Sequence, residues 1–276
     1  MLAFVLAVDP DDAEYASDLL WGWGVVAIEE RPGATGRTEL WTALGEDRVA
    51  IAELTDDLPE SWSWQLVEVD TAVADTWREY ARPVVVTDRL IVAPAWYGAV
   101  EAAPGQRIVW IEPGPTFGMG DHPTTVSSMR AMLTEFDRRP PNRLIDVGCG
   151  SGVLAVAACL FGVDEVVAID ISPAAPQITM ANARANGVEG QITVSCDQLG
   201  QIDGKFDLVV ANILAPALIE LAADLTRSVA PDGTLILSGL LDDRYHHVVA
   251  AMTGFAIVAI ERMDGWVALT LRRPAL

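Results

Sequence analysis

Lysine is almost absent from this 276-residue chain: Lys205 stands alone beside 17 arginines, and 39 acidic residues leave a formal charge of −21. So acidic a surface repels nucleic acid, which argues against a direct nucleic-acid partner, and it attracts basic partners by steering. Cysteine is nearly as scarce. Cys149, Cys159 and Cys196 are scattered, odd in number and without metal-ligand spacing, which fits a reduced cytoplasmic protein. Histidine occurs only at 122, 246 and 247, far apart or adjacent, so no metal site is expected. Long apolar runs are missing as well. The longest are interrupted by Gly, Asp or Pro, so no membrane span is expected. The start, Met1 to Asp9, has no basic region and ends in an acid; it reads as a strand and not as a signal peptide.

What is present is core-forming material. With 51% hydrophobic residues over this length, the chain suffices for one large domain or two ordinary ones. The charge is uneven: residues 1–70 hold 16 Asp/Glu against Arg31, Arg37 and Arg48, a net of −13. Compositional bias and recognition of a basic partner both account for it. These 70 residues read as strand 2–8, helix 11–22, strand 25–31, strand 38–44, short helix 46–54 and strand 62–69, a split β-α-β unit. Asp11 and Asp12 mark the helix start, Leu19, Leu20 and Trp23 its apolar face, and Gly33 to Gly36 a turn. With no His or Cys, the segment reads as a binding or docking domain. Trp21, Trp23, Trp41, Trp62 and Trp64 are expected in the core or on a sheet face. A polar helical connector over 71–81 follows.

From residue 82 the pattern changes to strands at 84–87 and 90–93 and a third ending at 111. Then come helix 124–136, strand 143–147, helix 152–161, strand 165–170, helix 173–186, strand 191–195, strand 206–211, helix 215–229, strand 233–238 and helix 241–253. A hairpin, 255–262 with 266–272, turns at Asp264-Gly265. Such alternation predicts a doubly wound, mainly parallel sheet with an antiparallel edge.

Leu144-Ile145-Asp146-Val147-Gly148-Cys149-Gly150-Ser151-Gly152 reads as an apolar strand entering a glycine turn, with a helix starting near Ser151, and the next strand ends at Asp170. The carboxyl ends of strands are where open α/β sheets bind ligands, and an acid about 20 residues on can hold ribose hydroxyls. The spacing is G-x-G-x-G, with Val153 where a dinucleotide fingerprint would continue toward its last glycine. Asp146 disfavours a diphosphate beside the turn and suits a cation, such as the sulfonium and ammonium of S-adenosylmethionine. The plain alternative is a tight turn with no ligand.

Two further constellations flank the turn. Glu112-Pro113-Gly114-Pro115-Thr116-Phe117-Gly118-Met119-Gly120-Asp121-His122-Pro123-Thr124-Thr125 is a loop in which Thr124 or Thr125 can cap the next helix or meet a carboxylate. His122 can serve simply to hold the turn. Asn212, at the start of Asn212-Ile213-Leu214-Ala215-Pro216, can offer its amide to an amine and a cofactor, or merely cap the helix starting at Ala215.

With these segments quoted, the chain resembles the class I S-adenosylmethionine methyltransferases, and closely the PrmA-type family that methylates large ribosomal subunit protein eleven. The loop 112–125, the D-x-G-x-G-S-G-x-L-A turn from Asp146 to Ala155 and the N-I-L-A of Asn212–Ala215 carry the resemblance. It implies a ferredoxin-like α+β recognition domain (1–70), a connector (71–81) and a Rossmann-like methyltransferase domain (82–276). It also implies an enzyme using S-adenosyl-L-methionine to methylate amino groups, lysine side chains with the N-terminus as a further target, of a free basic ribosomal protein. Thr125, Gly148 and Asp170 would contact the cofactor together with Gly150 and Asp146, and Asn212 would contact the cofactor and aim the amine, with no dedicated base. Met119, Asp121 and the Ser172 of Ile-Ser-Pro depart from the family's pattern. A methyltransferase of another protein, peptide or small amine, and a non-catalytic adenosine-binding module, are the alternative readings.

Overall fold

The computed structural model describes residues 2–23, 25, 28–42, 51, 54, 55, 58, 59, 61–68, 81–112 and 118–274. The chain divides into two compact units, Met1–Ala81 and Arg82–Leu276. The short helix expected over 46–54 and the connector over 71–81 fall almost wholly outside the described residues. Among those described, no helix is long and apolar enough to cross a membrane.

The first unit contains β1 (Leu2–Val8), α1 (Ala13–Gly22), β2 (Glu29–Pro32), β3 (Thr38–Thr42) and β4 (Ser63–Glu68). Its sheet runs β2-β3-β1-β4 with every neighbouring pair antiparallel. Alternation along β1 turns Phe4, Leu6 and Val8 to one face, where they pack with Ala16, Leu20 and Leu40. The acids expected to start α1 instead form a 3-10 turn, Pro10–Asp12, ahead of it. Asp12 accepts a hydrogen bond from the Trp62 indole at 3.0 Å. Trp64 stacks on Phe4, and Arg31 lies 4.2 Å above the Trp41 ring, so these tryptophans serve the core or a sheet face. The side chain of Trp21 is outside the described residues.

The second unit opens with β5 (Val84–Thr87), β6 (Leu90–Pro94) and β7 (Arg107–Ile111), a three-stranded sheet of its own in which β6 and β7 are parallel. There follow α2 (Pro123–Arg138), β8 (Arg143–Val147), α3 (Val153–Leu160), β9 (Glu165–Ile169), α4 (Ala175–Ala185), β10 (Ile192–Ser195), β11 (Phe206–Asn212), α5 (Ala215–Glu220), α6 (Ala222–Ser228), β12 (Val229–Leu241), α7 (His246–Ala251), β13 (Ala256–Met263) and β14 (Trp266–Arg272). The large sheet has the order β10-β9-β8-β11-β12-β14-β13. Its first five strands are parallel, and β14 enters antiparallel between β12 and β13. Asp264 and Gly265 close the hairpin with φ of 49° and 82°, the twist a two-residue turn requires. The strand order reverses between β8 and β11, which makes their carboxyl ends the switch point where such sheets bind ligands.

Helices cover both faces. Leu144 faces the core shared with α2, α3 and α4, while Ile145 and Val147 face the one shared with α5, α6 and α7. Around β12 three boundaries differ from expectation. The helix predicted over 215–229 breaks at Leu221 (φ −85°, ψ 2°) into α5 and α6. Pro231-Asp232-Gly233 does not start the next strand but sits inside β12 as an irregularity, with pairing to β11 shifting between Phe206 and Leu208. At the other end a second register shift, between Leu237 and Leu240, carries β12 to Leu241, which shortens the predicted helix 241–253 to α7.

At the amino ends of the parallel strands, away from the switch point, Glu135 ties three elements together. Arg138 and Thr234 donate to its Oε2 at 2.9 and 2.8 Å, and Arg272 donates to Oε1. Burial pushes the Glu135 pKa up, but the bonds from Thr234, Arg138 and Arg272 outweigh it and hold the carboxyl below its ordinary value. Its stabilising contribution is therefore complete above the unfolded value of about 4.3 and disappears as pH falls through the lower native one. Glu135→Ala is expected to cost about 2–3 kcal/mol at neutral pH in urea unfolding, less than for a fully buried pair because both arginines reach solvent. The difference from wild type should shrink in acid.

Candidate functional site

The site grows from the last residues of β8. Alternation that puts Leu144 into the α3-side core sends Asp146 the same way, so its carboxylate is fully enclosed at 0% exposure. Oδ2 accepts from the Ala155 N–H at 3.2 Å, in the first turn of α3, where N–H groups lack intrahelical acceptors. Oδ1 is buried and has no hydrogen-bond partner among the described residues. Burial pushes the Asp146 pKa up to about 7; the Ala155 bond opposes this and the charge of Asp170 adds to it.

Val147 passes into the turn at Gly148, whose φ is 77°. A Cβ on Gly148 would stand 2.1 Å from Ile213 Cγ2, so only glycine fits against the chain leaving β11. The Gly148 and Cys149 N–H groups donate to the Ile169 carbonyl at 2.8 and 3.1 Å, docking the turn on the end of β9. One residue on, Asp170 Oδ2 accepts from the Gly150 N–H and Oδ1 from the Ser172 N–H, both at 2.8 Å. Each oxygen keeps a second lone pair, which suits paired ribose hydroxyls. Ile171, beside it, is 92% exposed. Cys149 in the turn is no nucleophile, because burial and the charge of Asp146 push its pKa up and keep the thiol protonated.

The helix after the turn starts at Val153 and not at Ser151. Ser151 Oγ instead donates to the Gly118 carbonyl at 2.6 Å, pinning the loop before α2 onto the turn. The cap of α2 also differs from expectation. His122, not Thr124 or Thr125, is the N-cap, its Nδ1 accepting from the Thr124 N–H at 3.3 Å. Pro123 at the first helical position fixes the start there. Burial lowers the His122 pKa, partly countered by Asp121, so the imidazole is neutral at pH 7. Thr125 is thereby released from capping, and its buried Oγ1 has no partner among the described residues.

Asn212 closes β11 in register with Ser238. The Ser238 hydroxyl donates to the Thr124 carbonyl at 3.1 Å, which ties the first turn of α2 beside Asn212. The helix that follows is capped by Leu214 without a side-chain bond, so Asn212 does not cap it, and among the described residues its half-buried amide takes no side-chain hydrogen bond. Thr125, Asp146, Gly148, Gly150, Asp170 and Asn212 thus gather at one end of one sheet. Ile213 and Ser151, inside the two quoted motifs but given no role by them, also shape this end, as does Asn182, which lies in no motif.

Two buried oxygens without partners, one a carboxylate and one a hydroxyl, fit a ligand that brings a cation and a further polar group. A diphosphate would raise the Asp146 pKa still more. Among the described residues no group of three His, Cys, Asp or Glu is placed to hold a metal ion. The fold and this donor set define a class I methyltransferase. Comparison with known proteins agrees. The family described as ribosomal protein L11 methyltransferase (PrmA) matches residues 37–274. The ribosomal protein L11 methyltransferase of Symbiobacterium thermophilum is 38% identical over 270 residues, 96% of this chain and 83% of its own length. That of Citrifermentans bemidjiense is 40% identical over 205 residues, 73% of this chain and 67% of its own. The crystal structure of ribosomal protein L11 methylase from Lactobacillus delbrueckii subsp. bulgaricus aligns with a TM-score of 0.65 at 32% identity, covering 71% of this chain and all of that one. The chain belongs to the ribosomal protein L11 methyltransferase family.

An acid whose native pKa is raised binds its proton more tightly when folded, so the ligand-free protein gains stability as pH falls from about 7 toward the unfolded value. A cationic ligand reverses the preference and expels that proton. Affinity for S-adenosylhomocysteine, which keeps the ammonium, should therefore rise about tenfold per pH unit below pH 7 and level off above it. Titration calorimetry in buffers of different ionisation enthalpy would show the released proton. Asp146→Asn should flatten the profile.

Proposed function

We propose that this chain is an S-adenosylmethionine-dependent methyltransferase acting on amino groups of ribosomal protein L11, the family's substrate. The observation that carries the reading is the meeting, at one switch point, of a buried half-partnered carboxylate (Asp146) with an uncommitted strand-end amide (Asn212). In this reading Asp170 holds the ribose hydroxyls, the Gly148–Gly150 backbone lines the methionine end with Asp146 facing its ammonium, and Thr125 meets the carboxylate. S-adenosylmethionine, when bound, supplies a methyl group on a sulfonium that leaves as a neutral thioether.

The remaining chemistry is the protein's. A free lysine with a pKa of about 10.4 is protonated at pH 7 and must lose its proton before it attacks. Desolvation in the crevice lowers an amine's pKa, whereas a carboxylate such as Asp121 raises it. Asn212 accepts from the incoming amine through its amide oxygen and aims the lone pair, so the rate comes mainly from positioning. Because the amide carries no charge, it orders the amine without stabilising the ammonium. Asn212→Ala is expected to lower kcat about 100-fold, the scale of a misplaced reactant. Full turnover by this variant would remove Asn212 from the mechanism.

Residues 1–70 are the recognition domain of this proposal, 71–81 the connector and 82–276 the methyltransferase domain, working in the cytoplasm on the free protein before assembly. The −13 of the first 70 residues supports docking of a basic partner. The decisive assay is methyl transfer from labelled S-adenosylmethionine to purified L11, compared with assembled large subunits. Labelling of the free protein is expected, with KM for it rising several-fold between low salt and about 0.3 M as charges are screened. Reversing exposed acids, as in Asp11→Lys with Glu30→Lys, should raise KM and flatten that salt dependence.

A further inference from the structure

Asn182 on α4 and Asn186, the residue that caps its carboxyl end, hold a strand edge that has no neighbouring strand among the described residues. β7 ends the order β5-β6-β7. Along its open edge the Trp110 N–H donates to Asn186 Oδ1 at 2.9 Å, and Asn186 Nδ2 donates to the Trp110 carbonyl at 2.7 Å. One turn earlier on α4, the Glu112 N–H donates to Asn182 Oδ1 and Asn182 Nδ2 to the Glu112 carbonyl, both at 2.9 Å. A side-chain amide carries the same donor and acceptor as a peptide group. Alternate residues of a strand repeat at roughly 6.6 Å and four residues of helix at about 6 Å, so the pair reproduces the spacing of an absent strand.

Asn182 reaches further than its partner. Its Nδ2 also donates to the Ser151 carbonyl at 2.8 Å, inside the glycine turn. Both amide hydrogens and the oxygen are committed to backbone and the residue is 2% exposed, so it does not touch a ligand and acts only through what it holds. What it holds is Glu112, the last described residue before the loop, against Ser151. The hydroxyl of the same Ser151 holds Gly118, where the described chain resumes. Glu112 and Gly118 are thus both referenced to one residue of the turn.

We propose that Asn182 is a positioning residue of the methyl-transfer site: by fixing Glu112 and the Ser151 carbonyl to α4, it sets the shape of the glycine turn and with it the affinity for the cofactor. The inference rests on the turn being the cofactor's seat, as argued above. Asn182→Asp keeps the side chain's shape but turns an acceptor oxygen toward two carbonyls. The dissociation constant for S-adenosylhomocysteine, read by titration calorimetry, is expected to rise tenfold or more, about 1.4 kcal/mol, at a stoichiometry near one. Asn186→Ala, which frees Trp110 and the Asn182 backbone carbonyl but leaves the bonds of the Asn182 side chain in place, should raise it by less. Asn182→Ser, which loses the clamp without adding charge, gives the same reading should the aspartate variant not fold. A purely structural role would lower the melting temperature or the binding stoichiometry and leave the dissociation constant unchanged, and that result overturns the inference. Failure of the wild-type protein to bind would instead overturn the assignment of the turn, and this inference with it.

Discussion

The carboxyl ends of β8, β11 and β12 approach so closely that no further side chain fits beside Ile213, and the site depends on that steric limit. Ile213, the residue after Asn212, is wedged between two glycines. Its Cγ2 lies 2.1 Å from where a Cβ on Gly148 would be, and its own backbone carbonyl lies 2.4 Å from where a Cβ on Gly239 would be. Both glycines have positive φ, a region that costs other residues roughly 1–2 kcal/mol even before the clash. With Ile213 held from both sides, Asn212 is displayed at the strand end at a fixed angle, and the turn after β8 has one path open to it. That path brings the Gly150 N–H onto Asp170 and the Ser151 hydroxyl onto Gly118.

Legibility in the sequence followed the range of the forces involved. Strands β8 to β12 are covered by helices on both faces, so they read as apolar runs separated by helical periodicity, and their order along the chain was plain. The positions of the glycine turn, Asp170 and Asn212 at strand ends are equally legible, because each rests on a few consecutive residues. Boundaries failed where tertiary pairing overruled local punctuation. Pro231-Asp232-Gly233 looks like a turn, yet β11 captures it into β12. Thr124 looks like a cap, yet Pro123 starts the helix one residue too early for it and leaves the work to His122. The clamps escaped altogether, since Asn182 and Asn186 meet β7 about 70 residues upstream and neither has a local signature. The one hint is a pair of asparagines four apart, one on a mixed helix and one at its carboxyl end.

Electrostatics divides along the same line. The −21 of the chain is a surface property and bears on partners and solubility. The charge that separates cations from anions at the site is the one hidden from solvent, with Asp170 acting on it. Asp146 serves α3 with one oxygen, which explains its presence even without a ligand. Its other oxygen has no such explanation, and a buried acceptor left unsatisfied costs about 1–3 kcal/mol. That cost is borne by the ligand-free protein and relieved by any group that brings a donor and a positive charge. Binding energy is thereby tied to the ionisation of one carboxyl, and anions are refused by the same group.

The two constraints together separate this turn from the dinucleotide fold it resembles. There the last glycine of the fingerprint lets helix and strand pack backbone to backbone, and the helix N-terminus is left open for a pyrophosphate. Here Val153 stands in place of that glycine, begins α3, is 3% exposed and belongs to the core. At the first turn of that helix lies Asp146, whose oxygen takes the Ala155 N–H that would otherwise face an anion. One additional side chain under the helix and one carboxylate beside it convert an anion cradle into a seat for a cationic nucleoside. The glycines set only how near that nucleoside can come.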